Sequence, residues 1–318
     1  MLSRTANDLY WMARYMERAE NVARMLDVTY RMSLLPYRVM GPGEKWAEPW
    51  VVPLVVTGLV TDYYRRYKDL SAESVLRYMV LDADNPSSVY SAIRTARENG
   101  RAQCGALSAE MWECLNATWI EMRSATYAAI EAQGVSEFFE WVKTRSQLFR
   151  GITYGTMLRD EGYSFIRIAT FLERADNTAR ILDVKYHTLL PSVLEVGGAV
   201  DYYQWSALLR SVGAFESYRK IYRDIIVPRR VAELLILRED VPCSLHNCMQ
   251  SMNAIVEHLG RGVPMGETGR LAGEIYSQLR YSRIESIIEV GLHEWIEGFL
   301  DGNARLQTEL NAQFLAPA

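Results

Sequence analysis

The sequence predicts an all-α protein, a duplicated helical bundle whose two halves are related by a pseudo-two-fold internal repeat. Apolar residues recur at helical spacing in almost every segment between turns, and few segments alternate in the way typical of strands. The stretch from Met16 to Val28 also returns as Leu172 to Val184, with glutamate-arginine pairs at an offset of 156 residues. These observations indicate one helical unit encoded twice.

The repeat extends well beyond that stretch. Trp50, Gly58 and Tyr63 have counterparts at an offset of 155, which are Trp205, Gly213 and Tyr218. A register kept over so many residues predicts two repeats, residues 1–156 and residues 157–318. The linker around Gly151 to Gly162 is short and is not of low complexity, so we expect the two repeats to pack together as one unit.

The first predicted helix carries an apolar seam. Leu9, Met16, Ala23 and Tyr30 recur every seven residues, which is the spacing of a helix-packing stripe. The second copy repeats the seam with Phe165, Leu172, Ala179 and Tyr186. We therefore expect both copies of this helix to lie in the interior.

The remaining helices follow from the same periodicity. They are predicted at about 50–69, 71–82, 86–101, 108–132 and 136–151, with counterparts in the second half that end in a long element near 267–298. Ser108 is a predicted N-cap, and Pro86 and Pro242 are predicted to lie in first helical turns, where proline is accepted.

Composition bounds the function. The 318 residues are 49% hydrophobic and 23% charged with a net charge of −4, which excludes a disordered chain and disfavours nucleic acid as a partner. Thirty of the 35 basic residues are arginine, which suits paired and partly buried guanidinium groups.

The longest apolar run, Trp50 to Val60, is far shorter than the roughly 20 residues that cross a bilayer, so we expect no membrane anchor. Four cysteines without a signal-peptide pattern predict a cytoplasmic protein.

The repeated helix contains the first candidate site. Glu20, Arg24 and Asp27 are spaced to form a ladder on one face, whereas Glu17 and Arg18 find no opposite charge four residues further on. On a largely apolar helix such charges need partners from another element. The matching residues of the two copies are Glu17, Arg18, Asn21, Arg24 and Asp27, and Glu173, Arg174, Asn177, Arg180 and Asp183.

Two arrangements of these residues stay open. In the first, the two helices meet near a pseudo-two-fold axis and exchange salt bridges, Glu17 with Arg174 and Glu173 with Arg18. In the second, the same groups form a polar pocket that holds the amine and the carboxylate of a ligand.

A second candidate surface breaks the symmetry of the repeat. Arg94, Arg97 and Arg101 fall on one helix face, while the aligned positions of the second half are uncharged or acidic. The helix begins near Asp84 and Ser88, where backbone amides can receive an anion if the end is open. The arginines are either a solvated face with Glu98 as a partner, or a surface that binds an anion or another protein.

Metal and cofactor chemistry find little support. The chain has four histidines, none of which follows a glutamate by three residues, and Cys243 and Cys248 lack zinc-ligand spacing. Glu285, Glu289 and His293 follow i+4 spacing, as half of a di-metal site would, but a polar helix face explains them as well. We expect no metal and no cofactor.

The combined motifs resemble the bacterial alpha-E family, a predicted all-helical domain named for its Glu-Arg signature and long classed as of unknown function. The resemblance rests on the repeated Glu-Arg helix, on the opening from Leu9 to Tyr15, on Arg97-Glu98-Asn99 and on the segment from Glu110 to Asn116, and it covers essentially the whole chain. It implies association with circularly permuted ATP-grasp ligases and transglutaminase-like proteins, and so with a system that makes or modifies amide or peptide bonds. It supplies no catalytic residues.

Three functions follow as expectations. The first is an auxiliary helical protein that acts with such a ligase and positions its substrate or partner. The second is an enzyme, an amide-forming or an aminoacyl or peptide transferase, that uses Glu17, Arg18, Glu173 and Arg174 in a buried pocket. The third is a structural scaffold that self-assembles as a homo-oligomer.

Overall fold

The chain folds into helices throughout the described residues of a computed structural model, which are 1–34, 49–188, 199–260 and 266–316. No strand occurs in these ranges, which confirms the all-α class. The α-helices within them are α1 (Ser3–Ser33), α2 (Val51–Val56), α3 (Val60–Arg66), α4 (Ala72–Leu76), α5 (Val89–Ala102), α6 (Ala109–Ser124), α7 (Tyr127–Gln133), α8 (Val135–Thr156), α9 (Glu161–Thr188), α10 (Ala199–Ser211), α11 (Phe215–Tyr222), α12 (Pro228–Leu237), α13 (Leu245–Leu259), α14 (Gly266–Tyr281), α15 (Ile284–Val290) and α16 (Leu292–Leu310).

Helices α1 and α9 occupy the centre of the molecule. They pack against each other, α1 also packs against α5 and α8, and α9 also packs against α13 and α16. The seam residues Leu9, Leu172 and Ala179 are fully buried, as their seven-residue repeat predicts. Tyr186, at the end of the second seam, lies outside the residues whose side chains are described.

Three helices that the sequence predicts as continuous are interrupted. The predicted helix 50–69 breaks at Gly58, which has φ +70°, a conformation that glycine adopts without a steric penalty. The predicted helix 108–132 ends at Ser124, and Thr126 caps a new helix by accepting a hydrogen bond from the Ala129 amide. The predicted element 267–298 is three helices, since it breaks after Tyr281 and again at Gly291, which has φ +107°.

Helix starts follow the serine caps. Ser108 is an N-cap, as predicted, and its hydroxyl accepts a hydrogen bond from the Met111 amide at 3.2 Å. The prediction for Pro86 and Pro242 is wrong, because α5 and α13 begin later, after Ser88 and Ser244. Each of these serines caps its helix by accepting from the amide three residues on.

Among the described residues, no helix combines the length and the apolar character that crossing a membrane requires.

Candidate functional site at the Glu-Arg helices

The glutamates of the two Glu-Arg motifs face each other's helix across the contact between α1 and α9. Glu17 and Glu173 are only 3% and 6% exposed. A carboxylate buried to this extent is costly unless charged donors satisfy it. The two ends of the contact provide those donors differently.

At the Glu173 end, two guanidinium groups from α1 hold one carboxylate. Arg18 donates from Nε to Oε1 at 2.6 Å, and Arg14 donates from Nε to Oε2 at 2.7 Å. Arg14 also donates to the Tyr10 hydroxyl and to the amide oxygen of Gln307 on α16. Burial alone raises the pKa of the Glu173 carboxyl, but the charges of Arg14 and Arg18 outweigh it and lower that pKa to about 2.

At the Glu17 end, the partners come from two different helices. Arg174 on α9 donates from Nε to Oε1 at 2.7 Å, and Arg150 on α8 donates from Nη1 to Oε2 at 2.7 Å. Arg150 also donates to Glu20, which accepts from Arg24 as well. Burial raises the pKa of Glu20, and the charges of Arg150 and Arg24 overcome it and lower that pKa to about 2.

The structure thus contains the reciprocal ion pairs of the first arrangement, Glu17 with Arg174 and Glu173 with Arg18. Sequence reasoning missed two further members of this group. Arg14, one turn before Glu17 on the same helix, crosses to Glu173 instead of pairing locally. Sequence reasoning gave no role to Arg150, because a residue 133 positions away from Glu17 carries no local signal of its partner.

The predicted ladder on the rest of α1 holds only in part. Arg24 pairs with Glu20, but Asp27 does not pair with Arg24. Asp27 instead accepts from Arg31, one turn further on, and from the buried Lys143 of α8 at 3.2 Å. The sequence could not reveal Lys143, since that contact depends on how α8 packs against α1.

The corresponding residues of α9 go to different places. Arg180 pairs with Asp176 on an exposed face, and Asp183 pairs with His293 of α16 at 2.6 Å. Asn177 is half-buried, while Asn21 is buried and its side-chain nitrogen has no hydrogen-bond partner among the described residues. Because ten helical residues span about 15 Å, the candidate residues do not form one pocket. The central charges form one network of ion pairs, and the outer ones line other surfaces.

Arg24 and Asp27 line an open cleft on one side of this network. It lies between α1, α8 and the junction of α10 with α11, and its volume is about 320 Å³. Small-molecule sites begin at about this size. The cleft carries charges of both signs: Arg24, Arg31, Lys143 and Arg210 are basic, and Asp27, Glu140 and Glu216 are acidic.

The arginine stripe of α5 is engaged by its own surroundings. Arg94 donates to the Ala83 carbonyl, and Arg97 and Arg101 both donate to Glu98. At the start of α5, the Ser88 hydroxyl accepts a hydrogen bond from the Ser91 amide. The exposed Asp84 has its amide bonded to the Asp82 carboxylate. Glu98 is thus a partner of two of these arginines, and Arg97 also donates to Asn116 of α6.

Within the described residues, no group of three or more histidine, cysteine, aspartate or glutamate side chains is placed to hold a metal ion. Glu285 and Glu289 lie on α15, whereas His293 lies on α16 beyond the break at Gly291, so they do not share one helix face as their spacing suggests.

Burial raises the pKa of Cys243 to about 11 and that of Cys248 to about 12, which keeps both thiols protonated at neutral pH.

Acid is expected to weaken the fold through the network. Glu20 and Glu173 have a folded-state pKa of about 2, below the ordinary value of 4.5. A lowered folded pKa stabilises the fold above the unfolded value, and this stabilisation is lost as pH falls from about 4.5 to about 2. Urea unfolding at constant ionic strength across this range should show a falling free energy of unfolding. The fall should be smaller in Glu173→Gln, and an equal fall in both proteins would contradict the role of this carboxylate.

Comparisons with known proteins agree with the helical fold and extend no further. The model of the Alpha-E family, described as a predicted alpha-helical domain with a conserved ER motif, matches residues 1–315. An uncharacterized protein of Mycobacterium bovis and those of two Mycobacterium tuberculosis strains are each 25% identical over 311 residues, which is 90% of this chain and 33% of theirs. The chain therefore spans about a third of the length of these relatives. No solved structure matches.

Proposed function

We propose, from the premise that this chain belongs to the Alpha-E family, that it is an auxiliary helical protein of an amide- or peptide-bond-forming system. In this proposal it binds a circularly permuted ATP-grasp ligase, with a transglutaminase-like protein as a further partner, and positions the substrate of the ligase. The system operates in the cytoplasm, where all four cysteines remain free thiols.

The observation that carries this proposal is the saturation of the Glu-Arg network. Glu17 and Glu173 each accept from two arginines, and Glu173 stays ionised far below neutral pH. A general acid or base works best with a pKa near the operating pH and with access to the substrate. Glu173 has neither property, and Glu17 is held by two arginines, so the motif is better suited to holding helices together than to catalysis.

The length of the relatives supports a role beside another protein. About two thirds of each mycobacterial relative lies outside the region that this chain matches. We propose that an Alpha-E unit works next to further domains, either in the same chain or in a separate partner.

The open cleft is the proposed place for the substrate. Its volume of about 320 Å³ suits a small molecule, and its mixed charges suit one that carries both an amine and a carboxylate. Arg210, whose guanidinium lies 3.8 Å from the centre of the Phe215 ring, forms part of the wall contributed by α10 and α11. Asp27 and Lys143 form part of the opposite wall.

We further propose that the bundle is an internal duplication, with residues 1–156 as the first repeat and 157–318 as the second. Matched backbone features support this. Gly58 and Gly213 have φ of +70° and +73°, and Gly134 and Gly291 have φ of +110° and +107°. Left-handed glycines at corresponding helix breaks are expected if both halves derive from one ancestral unit.

Co-expression with a circularly permuted ATP-grasp ligase and a transglutaminase-like protein of the same organism tests the partnership. We expect this chain and the ligase to elute as one complex in size-exclusion chromatography, with ligase turnover falling at least tenfold when the chain is omitted. Ligase turnover that does not depend on the chain would exclude the auxiliary role. Amide-bond formation by the chain alone would favour the enzyme instead.

A variant of the cleft separates positioning from binding. Arg210→Gln should leave the complex intact and raise the KM of the ligase for its substrate, because one wall charge is lost. Arg270→Gln, an exposed arginine of α14 paired with Glu267 and Glu274, is the matched control and should change neither quantity. An unchanged KM in Arg210→Gln would place the substrate elsewhere.

A further inference from the structure

The Glu-Arg network carries more positive than negative charge. Its three glutamates, Glu17, Glu20 and Glu173, are surrounded by six arginines, which are Arg14, Arg18, Arg24, Arg150, Arg167 and Arg174. The chain as a whole has a net charge of −4, so this excess is local. Charges that are removed from water require partners of opposite sign, and an excess of guanidinium groups therefore favours the binding of an anion.

Arg167 is the arginine of this group that forms no ion pair within the described part of the chain. It forms no hydrogen bond and no ion pair with any described residue, and its guanidinium lies 4.5 Å from the centre of the Phe171 ring. Burial lowers the pKa of Arg167, and the nearby charges of Arg174 and Arg150 lower it further against the opposing effects of Tyr163 and Glu17. None of its five N–H donors is used by a hydrogen bond to a described residue.

A narrow cleft connects Arg167 with Arg150 and the Glu17 end of the network. Its walls come from α1, α8 and α9, and its free volume is about 10 Å³, which is the space of one water-sized group. Tyr154 lines the cleft and is 62% exposed, so this side of the cleft is open to solvent. A ligand group that enters the cleft is next to the side chains of both Arg167 and Arg150, which line it.

Apart from that of the exposed Tyr154, the hydroxyl groups in the cleft are already committed as donors. Ser146, Thr153 and Thr170 donate to backbone carbonyls of Met16, Phe149 and Ile166. The donors for an incoming group are therefore the guanidinium groups. Arg150 donates from Nη1 to Glu17, Glu20 and Ser146, and no hydrogen bond from its Nη2 or Nε reaches a described residue.

We propose that this cleft binds a carboxylate group of a small ligand between Arg150 and Arg167. Planar forked donors match the two oxygens of a carboxylate, and the free volume admits one of those oxygens. A phosphate dianion fits less well, because it is bulkier and its second charge would face Glu17 and Glu20. The ligand beyond its carboxylate extends past Tyr154 into solvent.

The residue that lines the cleft at the Glu17 end differs from its counterpart at the Glu173 end. Thr170 corresponds to Arg14 at the repeat offset of 156. At the Glu173 end, Arg14 reaches into the network and pairs with the carboxylate. At the Glu17 end, the smaller Thr170 lines the cleft in its place. This site is separate from the open cleft on α10 and α11, so it stands even if no ligase partner is found.

Thermal unfolding with acetate as the probe tests this proposal. Acetate replaces chloride at constant ionic strength, and the wild-type Tm should rise by about 2–4 °C near saturation because acetate binds the folded state. The rise should be lost in Arg167→Gln and in Arg167→Met, the latter keeping an apolar stem beside Phe171. Arg180→Gln, on the same helix but paired with Asp176, should keep it.

Two results would overturn the proposal. An unchanged wild-type Tm would mean that the cleft does not prefer a carboxylate to chloride. A rise that persists in either Arg167 variant would place the acetate elsewhere. Phosphate at the same ionic strength should raise the Tm less than acetate does, and an equal or greater rise would contradict the preference for a carboxylate.

Discussion

Replacing Glu173 by glutamine is expected to lower the free energy of unfolding by about 3–5 kcal/mol, the usual cost of removing one partner from a buried ion pair. Arg14 and Arg18 both depend on this carboxylate, and it has 8% of its side chain exposed. Glutamine keeps the shape but not the charge, so two guanidinium groups remain close together without a counter-ion. The loss is electrostatic and leaves no cavity.

Urea unfolding of the variant measures this cost, and a neighbouring pair on α9 provides the control. Asp176→Asn removes an acid that pairs with Arg180 on an exposed face, where the side chains are 24% and 48% exposed. Solvent screens such a pair, so we expect a change below about 1 kcal/mol. If Glu173→Gln costs no more than Asp176→Asn, the buried network does not stabilise the fold.

The fold class could be predicted from sequence because it depends on local periodicity. Apolar residues that recur every seven positions around Leu9 and Leu172 identified both central helices, and the seam residues Leu9 and Leu172 are buried. Helix breaks were harder to predict. Gly58 and Gly291 end helices through positive φ values, and a glycine within a helical pattern does not reveal which conformation it will adopt.

The candidate site could be predicted only as far as the two motifs reach. The glutamates of the motifs lack a local partner, and one of the two predicted arrangements therefore pairs Glu17 with Arg174 and Glu173 with Arg18. Both contacts occur. The contributions of Arg150 and Lys143 depend on how α8 packs beside α1, which no spacing along the chain encodes. For the same reason, a single polar pocket could not be told apart from a network of ion pairs.

The position of Arg150 also decides how the reciprocal pairing should be tested. A charge swap of Glu17→Arg with Arg174→Glu would place the new arginine against Arg150, which lies 2.7 Å from the carboxylate it replaces. Neutral replacements avoid this conflict. Glu17→Gln alone should cost about 3 kcal/mol or more, because Arg150 and Arg174 both lose their shared partner.

The central claim is that the Glu-Arg motifs join α1 to α9 through reciprocal ion pairs, and a double-mutant cycle on Glu17 and Arg174 tests it most directly. The unfolding free energies of Glu17→Gln, Arg174→Gln and the double variant should give a coupling of about 2 kcal/mol. The same cycle on Asp176 and Arg180, an exposed pair within α9, should give at most about 0.5 kcal/mol. Additive effects of the Glu17 and Arg174 replacements would contradict the account.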